Sequence, residues 1–131
     1  MNWQEIDVYV ATADGMFLYD AKSHTLKRVL TGDLRAKTGG QDFVATAPVN
    51  LFYVADLKKV SSDNPEDVSL YSGADCGFIA QNVYLYCASA GLAVVVRGLV
   101  DREALGVALG LGKHQRVTLA QSVGYPAGDA K

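Results

Sequence analysis

The segment from Ala74 to Ala90 limits the possible folds more than any other part of the chain. Cys76, Ile79, Ala80, Val83, Cys87 and Ala90 recur at helical spacing, while Phe78, Leu85 and Tyr86 make the opposite side apolar too. A helix apolar nearly all round has to be covered, either in a core or in a subunit interface. Gly91 follows it directly, as expected of a left-handed C-cap. The segment also decides the state of the two cysteines, Cys76 and Cys87. Eleven helical steps at about 1.5 Å each place them roughly 16 Å apart, whereas a disulfide needs Cα atoms within about 7 Å. Two free, buried thiols acting as small apolar residues are expected.

Strands surround this helix in the reading. Ile6, Val8 and Val10 alternate with Asp7, Tyr9 and Ala11, the pattern of a half-buried strand. A turn at Asp14-Gly15 returns the chain through Met16 to Asp20 as a hairpin. Leu26 to Leu30 reads as a further short strand, and Asp33 to Lys37 as a short helical stretch stopped by Gly39-Gly40. The dense run Val49 to Ala55 lacks alternation, as in a central strand covered on both faces. Residues 57–69 read as a polar loop in which Asn64 and Pro65 could start a helix. Leu92 to Val96 reads as a second fully buried strand. Asp101 caps a helix over Arg102 to Leu109, and Val117 to Val123 is a last strand. Helices and strands mixed in this order, with an adjacent hairpin, give an α+β class.

Composition excludes several kinds of protein. At 131 residues, half of them hydrophobic and a fifth charged, the chain has the size and apolar content of one domain, residues 1–131, with its own core. Twelve Lys and Arg against fourteen Asp and Glu leave a net charge of −2. That is no basic excess with which to neutralise a phosphate backbone, so no nucleic-acid partner is expected. No apolar run reaches the roughly 18 residues of a spanning helix, and Met1 to Glu5 carry neither the basic nor the apolar part of a secretory signal. No membrane partner and a cytoplasmic location are the expectations.

The residues offer no self-sufficient catalytic set. No serine lies in a G-x-S-x-G elbow, and His24 and His114 fall in loops. Two histidines and no Cys-x-x-Cys pair make a metal site unexpected. Gly106 to Lys113 superficially resembles a phosphate loop. Its spacing to Gly112-Lys113 is one residue too long, His114 stands where Ser or Thr would hold magnesium, and a helix precedes it. Glycines closing a helix explain it better.

Three stretches together resemble the nitroreductase family. Asn2-Trp3-Gln4-Glu5 before the strand Ile6 to Ala11 is similar to the family's Asn-x-Gln motif. Asp75-x-Gly77-Phe78-Ile79-Ala80-Gln81-Asn82-Val83-Tyr84-Leu85, through Ala90-Gly91-Leu92, resembles its long central helix. Gln121-Ser122-Val123-Gly124-Tyr125-Pro126 resembles its closing strand, and Ala47-Pro48-Val49 also matches. The resemblance implies a mixed or antiparallel central sheet packed on helices. It also implies noncovalently bound FMN at a homodimer interface. The reaction implied is hydride transfer from NAD(P)H through the flavin to a small, electron-poor acceptor.

By position, the resemblance places Asn2 and Gln4 near the flavin ring, and the backbone of Val95, Val96, Arg97 and Gly98 near its N5. Read without the resemblance, Asn2 and Gln4 are a polar terminus, and Arg97 ends a strand at the surface. Lys131 is the one residue available where the family often places a phosphate-contacting cation after Gly-Tyr-Pro. No catalytic side chain is implied, because the flavin carries the reactive atom. Family members begin with helices bearing an Arg-rich, phosphate-gripping motif that this sequence lacks. The expectation is a nitroreductase-like domain incomplete at its N-terminus. The competing expectation is a non-catalytic domain that acts only in self-association or partner binding.

Overall fold

The computed structural model describes residues 2–127. Six strands form one sheet: β1 (Ile6–Thr12), β2 (Gly15–Asp20), β3 (Thr25–Thr31), β4 (Val49–Asp56), β5 (Ala93–Arg97) and β6 (Gln115–Gly124). Their order is β3-β2-β1-β4-β6-β5, and every neighbouring pair runs antiparallel. The expected α+β class holds, with the sheet antiparallel throughout.

The β1–β2 hairpin turns on Ala13-Asp14, with Thr12 facing Gly15. Asp14 N–H donates to Thr12 Oγ1 at 3.2 Å, and Arg28 Nη1 donates to Asp14 O at 2.9 Å. Gly15 is required by this packing. A Cβ there would collide with the Arg28 guanidinium and the Leu30 carbonyl.

β4 is central, as its unbroken apolar run requires, and Phe52 to Ala55 are fully buried. Its alternate residues feed two cores. On one face Tyr53 packs with Cys76 and Ala80 of α1 (Pro65–Ala90), joined by Ile6, Val8, Leu51, Ile79 and Leu119. On the other, Tyr9, Met16, Phe52, Val54 and Ala120 pack with Leu105 of α2 (Arg102–Leu109), flanked by Leu30, Leu34 and Leu111.

Both helices carry the end signals their sequences advertise. The Asn64 side chain accepts from Glu66 N–H at 3.0 Å, Pro65 opens α1, and Glu66 and Asp67 sit at its positive end. Gly91 closes α1 at φ 73° and Gly110 closes α2 at φ 69°. The Asp101 carboxylate caps α2 through Ala104 N–H at 3.0 Å. α1 therefore starts nine residues before the apolar segment, because the cap and the proline set its beginning and the apolar pattern does not.

Cys76 and Cys87 are buried and free. The Thr118 hydroxyl donates to Tyr53 O at 3.0 Å, so the Cys76 thiol is the donor in its 3.1 Å contact with Thr118 Oγ1. Burial raises both thiols above their ordinary pKa, as suits packing rather than reactivity.

One expectation is narrowed and another needs correction. α1 is not covered all round: only Ser72, Cys76, Ala80 and Cys87 are buried, while Phe78 is 67% exposed and Tyr86 66%. The sheet covers one stripe of the helix and nothing among the described residues covers the rest, which leaves a subunit interface as the cover the apolar pattern calls for. β5 is not a fully buried strand. It lies at the sheet edge with one neighbour, and Val95 and Val96 are exposed. A run of valines marks a strand that packs well, and it does not say whether both sides are paired.

Candidate functional site

The first stretch of interest is anchored by what surrounds it. The Trp3 indole donates to Ser61 Oγ at 2.8 Å and meets the Tyr71 ring edge-on at 5.9 Å. Trp3 and Glu5 are thereby turned inward, and Asn2 and Gln4 outward into solvent. Gln4 sits at φ 52°, a conformation few side chains other than Asn and Asp adopt readily, and its amide donates to Asn2 Oδ1 at 3.2 Å.

Asn2 and Gln4 line a cleft of about 850 Å³ between the start of β1, the β2–β3 turn and α1. Phe78 and Ile79 give it an apolar wall, and Lys22, Lys27 and Lys59 line its polar side. Lys27 pairs with Asp20 at 2.8 Å and Lys59 with Asp7 at 3.8 Å. Among the described residues Lys22 makes no ion pair.

The second stretch, residues 95–98, ends on a buried cation. Arg97 is only 3% exposed, which excludes the reading that it ends the strand at the surface. Its Nη1 donates to Thr38 O at 2.8 Å and its Nε to Ser122 Oγ at 2.9 Å, while Nη2 reaches Asn50 Oδ1 at 3.4 Å. Ser122 Oγ donates to Asn50 Oδ1 at 2.6 Å, and Asn50 Nδ2 to Val44 O at 2.7 Å. No carboxylate takes part, and desolvation lowers the Arg97 pKa. The guanidinium ties the loop before β4 to the last two strands, and Gly39 makes room for it. Beside it, Val96 N–H donates to the Tyr84 hydroxyl of α1 at 2.7 Å.

The structure does not bring the two stretches together. Strand register sets Val95 level with Ser122, Asn50 and Ala11, at the far end of β1 from Gln4. With about 3.3 Å per residue and about 4.8 Å per strand, residues 95–98 lie on the order of 20–27 Å from Gln4. Lys131 lies outside the described residues.

Several polar residues were missed in the sequence. Asn50 hides inside an apolar run, Ser122 inside the last strand, and Gln121 links the Tyr53 hydroxyl to Ala80 O of α1 at 3.1 Å. The only sequence signal for Asn50 is a lone polar residue at a position patterned as core, and Gln121 and Ser122 stand out only as part of the stretch that resembles the family's closing strand.

A family model described as "Nitroreductase family" matches residues 1–125. The chain belongs to the nitroreductase family. A protein of Ralstonia eutropha JMP134, described as a "putative nitroreductase", has a crystal structure that superposes with a TM-score of 0.87 and 41% identity. The match covers 95% of this chain and 59% of that one. A protein of Methanocaldococcus jannaschii with the same description is 28% identical over 72% of this chain and 50% of its own length. A Desulfovibrio desulfuricans protein of that description, solved in complex with FMN, has a TM-score of 0.69 at 21% identity, over 99% of this chain and 66% of that one. At that identity the likeness speaks for the nitroreductase fold. The chain spans about half the length of the curated relative and 59% of the Ralstonia chain.

The residues present fit a flavin mononucleotide in parts. The cleft volume is within the range of cofactor sites, about 300–1,000 Å³. Asn2 and Gln4 offer exposed amide donors and acceptors, Phe78 and Ile79 an apolar wall, and Lys22 a cation without an ion pair for a phosphate. Val95, Val96 and Gly98 are exposed at an open sheet edge, while Arg97 between them is buried.

Proposed function

We propose that this chain belongs to an FMN-dependent oxidoreductase that passes hydride from NAD(P)H through the flavin to an electron-poor small molecule. Membership of the nitroreductase family over residues 1–125 carries this reading. Flavin, when bound, supplies the hydride chemistry. The chain's own residues would bind and orient it: Asn2 and Gln4 at the ring's polar edge, the backbone of Val95, Val96, Arg97 and Gly98 along the other side, and Lys131 toward the phosphate. Val96 N–H would have to leave the Tyr84 hydroxyl to serve as a donor. Because the two groups lie far apart in one chain, a homodimer that sets one chain's cleft against the other's sheet edge would complete the site. The uncovered side of α1, with Phe78, Leu85 and Tyr86, has the exposed apolar character of such an interface.

The second reading is a domain that associates and does not catalyse. It draws support from the uncovered apolar side of α1, where Phe78, Leu85 and Tyr86 are exposed. A titration of the purified chain with FMN, followed by flavin fluorescence and by melting temperature, separates the two. Saturable binding with a raised melting temperature supports the oxidoreductase reading. An unshifted melting temperature and unquenched fluorescence would leave association only. Sedimentation of the same sample tests the dimer, and a monomer at micromolar concentration would sink the composite site.

A further inference from the structure

Glu5 is the most anomalous polar residue in the fold. It is 0% exposed, and neither carboxyl oxygen has a hydrogen-bond partner. A buried carboxylate left alone is costly, so such groups are paired or neutralised. Its wall of the cleft also carries Asp75, a half-buried residue of α1. The charged groups around the pair divide unevenly. Asp7 on β1 takes Lys59, and Asp20 on β2 takes Lys27. Lys22 stands beyond β2 with no ion pair, and α1 has no Lys or Arg anywhere between Pro65 and Ala90. Among the described residues, the carboxyls of Glu5 and Asp75 therefore line one cleft with no ion pair of their own.

We infer that Glu5 and Asp75 form a binding site for an organic cation of the alkylammonium or guanidinium class, entering through the cleft beside Asn2 and Gln4. Asp75 is the accessible half of the site and Glu5 the buried half. Asn2 and Gln4, exposed and joined side chain to side chain by one 3.2 Å hydrogen bond, line the cleft next to Glu5, and the buried Trp3 lies between them in sequence. Trp3, Tyr19 and Phe78 reach or line the same cleft, and their rings add a favourable environment for a cation. Among the described residues no third His, Cys, Asp or Glu completes a metal site there, so the donor set suits an N–H-bearing cation. Burial, and after it the neighbouring Asp75, raise the Glu5 pKa, opposed by its own backbone N–H and by Lys59. A bound ammonium favours the ionised Glu5 carboxylate, so binding shifts Glu5 toward releasing a proton to solvent.

The inference shares its cleft with the flavin reading but does not rest on it, and it is tested without flavin. n-Butylammonium chloride is titrated into the purified chain at pH 7 against sodium chloride at equal ionic strength. Calorimetry in two buffers of different ionisation enthalpy counts protons. The expected result is saturable binding, a proton count above zero, and a melting temperature raised by about 4–6 °C at tenfold the Kd. Binding should weaken at least tenfold in Asp75→Asn, which alters a half-exposed group and leaves the fold intact, and also in Glu5→Gln. No saturable binding would overturn the inference. So would equal affinity in both variants, or a Glu5 carboxyl that carbon NMR shows protonated with and without the amine.

Discussion

Replacing Arg97 asks whether its charge or its shape holds the loop before β4 to the sheet edge. In Arg97→Met the carbonyl of Thr38, a residue with no exposure, loses its 2.8 Å donor. An orphaned buried acceptor costs about 1–3 kcal/mol. Ser122 and Asn50 remain bonded to each other at 2.6 Å, so their loss is smaller. Against this, a guanidinium buried without a carboxylate is itself expensive, and methionine removes that desolvation cost. The net expectation is a loss of about 1–3 kcal/mol, or roughly 3–10 °C in melting temperature for a domain of this size. Arg97→Lys keeps the charge in the same desolvated place but cannot fork to three acceptors, so it should be no more stable than the methionine variant. Thermal and urea unfolding of the three proteins at pH 7 make the measurement. Amide exchange across residues 35–45 and 93–98 shows whether the damage is local. A lysine variant as stable as the parent would refute the argument for the fork. A methionine variant at or above parental stability would show that desolvation outweighs all three hydrogen bonds.

Three further outcomes are expected. The Glu5 pKa is raised on folding, so its contribution is fully present below the unfolded value near 4.5 and is lost as pH rises through the folded value. Glu5→Gln should flatten the decline in stability above pH 4.5, as urea unfolding at several pH values would show, and an unchanged slope would contradict the assignment. Asn64→Ala removes the acceptor of Glu66 N–H and should cost about 1 kcal/mol in urea unfolding, with no change in m-value. Tyr84→Phe leaves Val96 N–H without its 2.7 Å partner, so that amide should exchange faster while its neighbours in β6 do not.

The parts of the fold legible in the sequence were those governed by local chemistry. The β1–β2 hairpin, the Asp101 cap and the glycines ending both helices each follow from a few adjacent residues. The central position of β4 followed from its unbroken apolar run. What could not be read depends on residues distant in the chain. Whether a valine strand lies inside a sheet or at its edge is decided by which strands flank it, so β5 was misjudged. Arg97 was expected at the surface under one reading because a strand-terminal arginine usually solvates. Its burial depends on acceptors contributed by residues 38, 50 and 122, which no local pattern links. The proposed site was legible only by family likeness. Asn2, Gln4 and residues 95–98 show no periodicity that would connect them, and the strand register sets them at opposite ends of the sheet.

The two borders of the sheet will behave differently toward other extended chains. β3 presents Lys27 and Arg28 along the outer strand, and charges there discourage an incoming strand. β5 presents Val94, Val95 and Val96 with half their backbone groups unclaimed by β6. On that side the Tyr84 hydroxyl covers one N–H, at Val96. A peptide able to extend would find a template at one border and repulsion at the other. Handling of this protein at high concentration will therefore be governed by a five-residue strip, and a single lysine at Val95 is the economical way to quiet it.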